Sequence, residues 1–96
     1  MSFCVGELDG VWRVTRTGGA LPPLIGVRKR IEGARGVSAL GRLPGIPFEV
    51  DGLTLRYLPP LEAFVDELER AGEGYSGRAT FHGREYGRFC LTRLRQ

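Results

Sequence analysis

The chain has 96 residues, 42% hydrophobic and 26% charged, an ordinary globular balance that suffices for one domain, 1–96, around one core. Arginine supplies 13 of its 14 basic residues, and these recur in nearly every segment, so the net charge of +3 reads as a solvated surface rather than a nucleic-acid face. There is no basic-then-apolar leader and no apolar run near the ~20 residues that span a bilayer, so a cytoplasmic protein with reduced thiols at Cys4 and Cys90 is expected.

The 15 glycines and 6 prolines are spread along the chain and divide it into short elements. Residues 1–9 form a lead-in. Strands are predicted near 11–17, 24–32, 36–43, 46–50, 53–58, 75–82 and 87–94, lengths typical of β-strands. The first ends at Thr17-Gly18-Gly19, and the second and third are separated by Glu32-Gly33-Ala34-Arg35-Gly36. Leu43-Pro44-Gly45-Ile46 suits a type II turn, and Asp51-Gly52 is a hairpin signal. Alternation supports several strands: Ile25, Val27 and Ile31 oppose Arg28 and Arg30, and Leu53, Leu55 and Tyr57 oppose Thr54 and Arg56. The connections are too short for parallel crossovers, so neighbouring strands are antiparallel.

Residues 61–70 read two ways. Leu61, Phe64, Val65 and Leu68 have helical spacing between Pro60 and Gly72, and this favours a helix; an eighth strand turning at Ala71-Gly72-Glu73-Gly74 competes closely. In the final hairpin, an odd loop centred on Glu85 puts Ala79 and Phe81 on one face with Phe89 and Leu91, with Thr80, His82, Arg88 and Cys90 opposite. A two-residue loop at Arg84-Glu85 exchanges the faces and buries arginine. The expected architecture is therefore a mainly β, small antiparallel up-and-down barrel of 7–8 short strands.

With the strands placed, Gly10-Val11-Trp12 opens the first and Thr92-Arg93-Leu94 closes the last. This resembles the lipocalin or calycin superfamily, in which a G-x-W motif begins an up-and-down barrel and an arginine from the chain's end packs over the Trp ring. The stretch from Tyr57 through Pro59, Asp66 and Gly77 to Phe89 and Arg93 also looks like the C-terminal half of bacterial lipocalin-like proteins. The resemblance implies structural roles for Gly10, Trp12 and Arg93 and a barrel that binds a small ligand. Closure implies the same neighbours on its own terms, because the last strand of an even-stranded antiparallel barrel lies beside the first.

If Trp12 faces inward as a core plug, so do Val14 and Arg16, and Lys29, Tyr57 and Arg93 join them from other strands. An eight-stranded barrel is wide enough to be filled by side chains or to hold one small molecule. A buried cation requires an anionic partner. Arg16, Lys29 and Tyr57 therefore form a candidate clamp for the anionic end of an amphipathic ligand, with Leu53, Leu55 and Phe81 along its apolar tail. The competing reading has Arg16 and Lys29 at strand ends, reaching water along their stems.

Other chemistry finds little support. One histidine, His82, and two scattered thiols provide no metal-binding spacing, and a His82–Cys90 nucleophile pair would lie diagonally on the outer face. Glu62, Asp66, Glu67, Glu69 and Glu73 read as a solvated acidic face, and the glycines form no phosphate-binding motif. No cofactor and no catalytic set are expected. Two alternatives to ligand binding are a nucleic-acid-binding barrel using Arg78, Arg84 and Arg88 with Tyr75, Tyr86 and Phe89, and a homodimer formed through an open edge strand.

Overall fold

The structure is a computed structural model and describes residues 7–20, 26–40 and 45–94. Eight antiparallel strands close into a barrel in chain order: β1 (Gly10–Gly19), β2 (Val27–Glu32), β3 (Arg35–Leu40), β4 (Ile46–Asp51), β5 (Thr54–Tyr57), β6 (Phe64–Ala71), β7 (Gly74–Phe81) and β8 (Arg84–Arg93). Each of these strands is hydrogen-bonded to two neighbours, so among the described residues there is no open edge strand of the kind on which the dimer reading rested. Ile25 and residues 41–44, expected at the end of one strand and in the next strand and its turn, lie outside the described residues, as does Cys4.

The expected helix over 61–70 is a strand from Phe64. Phe64, Asp66 and Leu68 point into the barrel while Glu67 and Glu69 face out, a two-residue period within the stretch that also reads at helical spacing. Tertiary pairing decides between them. β6 supplies the hydrogen-bonding partner of both β5 and β7, and without it the sheet could not close. Local helix spacing is worth a few tenths of a kcal/mol per residue, less than the ladder bonds that closure satisfies.

Three hairpins at one end of the barrel share a solution. Gly33, Gly52 and Gly72 each open a two-residue turn with φ between +59° and +63°, a region glycine enters without steric cost. At Asp51-Gly52 the turn falls one residue later than the dipeptide suggests, on Gly52 and Leu53, since Asp51 still pairs with Thr54.

The β7–β8 hairpin has the expected faces at Ala79, Phe89 and Leu91 by a different route, but Thr80, expected on the outer face, is buried. Its turn is the two-residue pair His82-Gly83, with φ of +52° and +81°, as a type I′ turn requires. That turn alone would exchange the faces, but a bulge between Ala79 and Thr80 on one side and Glu85 and Gly87 on the other restores the register. Ala79, Phe89 and Leu91 are accordingly buried, while Phe81 stands at the rim, 43% exposed.

The barrel has a plugged end. Trp12 is 1% exposed and donates from its indole N–H to the Leu8 carbonyl at 2.8 Å, so the segment 7–9 packs against this end of the barrel. Tyr75 meets the indole edge-on at 5.3 Å. Arg93 pairs directly with Trp12 across β1 and β8, and its guanidinium carbon lies 4.3 Å from the indole centroid. It also donates to the Asp9 carbonyl at 2.8 Å. Gly10 has φ +130°, and a Cβ there would meet the Arg93 guanidinium, so Gly10, Trp12 and Arg93 form one closure unit. Glu7 ties the lead-in to the wall through a bidentate pair with Arg70 and a hydrogen bond from the Tyr75 hydroxyl.

Two strand glycines shape the interior. Gly36 faces the Phe48 ring and Gly77 the Phe89 ring, each so closely that a Cβ would collide with it. The rings therefore lie flat against the opposite backbone instead of projecting across the lumen. Phe48 and Phe89 thus stay at the wall, which leaves the centre free.

Candidate functional site

Above the Trp12 plug the barrel holds a cavity of about 360 Å³. Val14, Val27, Ala79 and Phe89 line its wall, and Ile46, Leu61, Phe64 and Tyr86 stand toward the end opposite the plug. At ~30 Å³ per water or comparable heavy atom, this volume has room for about a dozen. It falls at the lower end of the ~300–1,000 Å³ range of ligand pockets.

Besides the Tyr86 hydroxyl, four polar side chains interrupt this apolar lining: Lys29 from β2, Ser38 from β3, Tyr57 from β5 and Asp66 from β6. Lys29 and Ser38 are directly paired across β2 and β3, and alternation turns both inward. Lys29 donates to Ser38 Oγ at 2.6 Å and to the Tyr57 hydroxyl at 2.8 Å, and lies 3.3 Å from Asp66 Oδ2. Ser38 and Tyr57 are 2.9 Å apart. The Lys29 ammonium also sits 5.0 Å from the centroid of Phe48 and 5.8 Å from that of Phe89.

The ion pair is buried, its side chains only 5% and 8% exposed. Burial works against the Lys29 ammonium, yet the neighbouring Tyr57 and Asp66 outweigh it and hold the lysine pKa above its ordinary value. For Asp66 the balance falls the other way: burial pushes the carboxyl pKa up, and Lys29 and Tyr57 offset only part of that. Burial likewise raises the Tyr86 pKa, with smaller contributions from Asp66 and Tyr57. Lys29 and Asp66 thus form a buried ion pair at the centre of the quartet.

The expected site residues separate. Lys29 and Tyr57 meet in the quartet. Arg16 is exposed and donates to the Gly19 carbonyl at 2.7 Å: it keeps its pairing with Phe89, but it stands next to the bulge near the end of β1, where its guanidinium reaches a strand-end carbonyl. Leu55 is fully buried in the core and Leu53 packs against that core, but neither lines the cavity. Phe81 stacks on Phe64 at 4.7 Å at the rim.

Asp66 is the principal residue that sequence reasoning misplaced. Grouped by charge with Glu62, Glu67, Glu69 and Glu73 it belongs to an outer acidic face; by strand parity with Phe64 and Leu68 it points inward. The partner required by a buried Lys29 is thus supplied by the chain itself. Ser38 and Phe89 were missed for a simpler reason: alternation places them inside, but only the register shows them at one level, and Tyr86 is the extra residue of the β8 bulge, which alternation cannot place.

The Arg-and-aromatic interleaving of β7 and β8 divides between two faces. Tyr75 and Phe89 are buried and Tyr86 lines the cavity, whereas Arg78 pairs with Glu67 and Glu85, and Arg88 with Glu85, on the outside. His82 sits in the β7–β8 turn, and Cys90 pairs with Thr15 and Ser76 further along the wall. Among the described residues no group of three or more His, Cys, Asp or Glu side chains is placed to hold a metal ion, and no helix is long and apolar enough to cross a membrane. No protein-family model matches the chain, and neither a curated protein nor a solved structure matches it.

Proposed function

We propose that the barrel binds a small apolar or amphipathic molecule, of roughly a dozen heavy atoms, in the cavity above Trp12 without transforming it. The observation that carries this reading is a 360 Å³ space with a mostly apolar lining and one convergent polar cluster. Filling such a space with water forgoes the apolar contacts that a ligand tail would make. The polar cluster fixes orientation, as the few polar groups of ligand pockets commonly do. Lys29, held protonated and engaged by three oxygens, serves as a structural cation rather than a nucleophile.

Native mass spectrometry together with calorimetric titration of 1-octanol tests the proposal. Saturable one-to-one binding is expected, and Ala79→Leu should abolish it while leaving the thermal midpoint close to that of the parent, because the added side chain enters empty space. Absence of any retained or saturable small molecule would overturn the reading, as would unchanged binding in the stably folded filled variant.

A further inference from the structure

The cluster at the polar side of the cavity is internally neutralised but keeps acceptor capacity on its carboxylate. Lys29 has three N–H bonds, and Ser38, Tyr57 and Asp66 take all three. Ser38 and Tyr57 lie 2.9 Å apart, so one of their two hydroxyl hydrogens fills the space between them. The Asp66 carboxylate, with about four acceptor sites, keeps lone-pair capacity toward the cavity that its ammonium neighbour does not use.

We infer that the cavity selects a neutral amphiphile whose polar end carries an O–H or N–H donor, such as a primary alcohol, and discriminates against carboxylates and phosphates. This rests on the cavity being a ligand site, as proposed above, and it reverses the anionic clamp expected from Lys29 and Arg16. An incoming anion would find Lys29 already neutralised by Asp66 and would stand beside a second carboxylate. It would lose its hydration without gaining a counter-ion. Arg16, the other half of the expected clamp, is on the exposed surface. A neutral donor instead places its hydrogen on Asp66 while its tail follows Val14, Phe89 and Phe64. An ether of equal length gains the tail contacts but brings no donor.

The experiment compares 1-octanol, methyl heptyl ether and octanoate by titration calorimetry at neutral pH on the full chain. The alcohol should bind about five- to tenfold more tightly than the ether, the increment of one hydrogen bond. It should exceed octanoate by at least roughly tenfold, given the cost of burying an unpaired charge. In Lys29→Met/Asp66→Leu, which replaces the ion pair by apolar side chains of similar length, the alcohol's preference over the ether should disappear while the ether still binds. Octanoate equal to or tighter than octanol overturns the inference and leaves the cavity a binding site; so does an alcohol no better than the ether. If none of the three binds, the binding function itself falls, and the head-group preference with it.

Discussion

Removing one member of the Lys29–Asp66 pair should be far more damaging than removing both. At 3.3 Å and an effective dielectric of ~20, the attraction is about 5 kcal/mol. Against it stands a desolvation cost of several kcal/mol per ion, so the pair as a whole is close to break-even relative to an apolar core. Lys29→Met leaves the Asp66 carboxylate buried without its cation and should cost about 3–5 kcal/mol. That is a large share of the ~5–14 kcal/mol expected for a domain of this size. Lys29→Met/Asp66→Leu should fall within about 1–2 kcal/mol of the parent, in either direction. Urea unfolding of the parent, both single variants and the double variant gives the coupling energy directly. A coupling below about 1 kcal/mol is the value of an exposed pair, and it would refute the claim that this one is shielded from water.

Four further outcomes follow from the same geometry. Arg93→Ala should cost about 1–2 kcal/mol through the lost ring contact and the bond to Asp9, with a change in Trp12 emission that Arg88→Ala does not produce. His82→Asn should raise the urea midpoint by an amount equivalent to about 0.5–1 kcal/mol, because asparagine tolerates the positive φ of this turn better than histidine. Gly77→Ala should push the Phe89 ring off the wall into the cavity, lowering 1-octanol affinity more than it lowers stability. Glu7, whose pKa the Arg70 and Tyr75 hydrogen bonds hold below the ordinary glutamate value, contributes stability that is present above that value and lost as pH falls through the folded one. Glu7→Gln should therefore flatten the acid limb of the urea-midpoint profile. Asp66 acts with the opposite sign: its raised pKa means the folded state holds that proton more tightly, so its ionisation removes stability as pH rises from the ordinary aspartate value through the folded one.

Much of the barrel is legible in the chain because its signals are local. Glycines open the hairpin turns, and residues two apart show which face is buried. Gly10, Trp12 and Arg93, though far apart in sequence, could be joined in advance, since closure of an even antiparallel barrel brings the first strand beside the last. Three things could not be read that way. Residues 64–71 carry both helical and alternating patterns, and the choice belongs to β5 and β7, which need a strand between them. Arg16 shares the parity of Trp12 and Val14 and pairs with Phe89, but it stands near the end of β1, where its guanidinium reaches the Gly19 carbonyl and solvent. Asp66 resembles its acidic neighbours in composition, yet the level at which β6 packs sets it against Lys29. Periodicity determines which way a side chain points; only the register of the closed barrel determines what it meets there, and here it sets Asp66 of β6 beside Lys29 of β2.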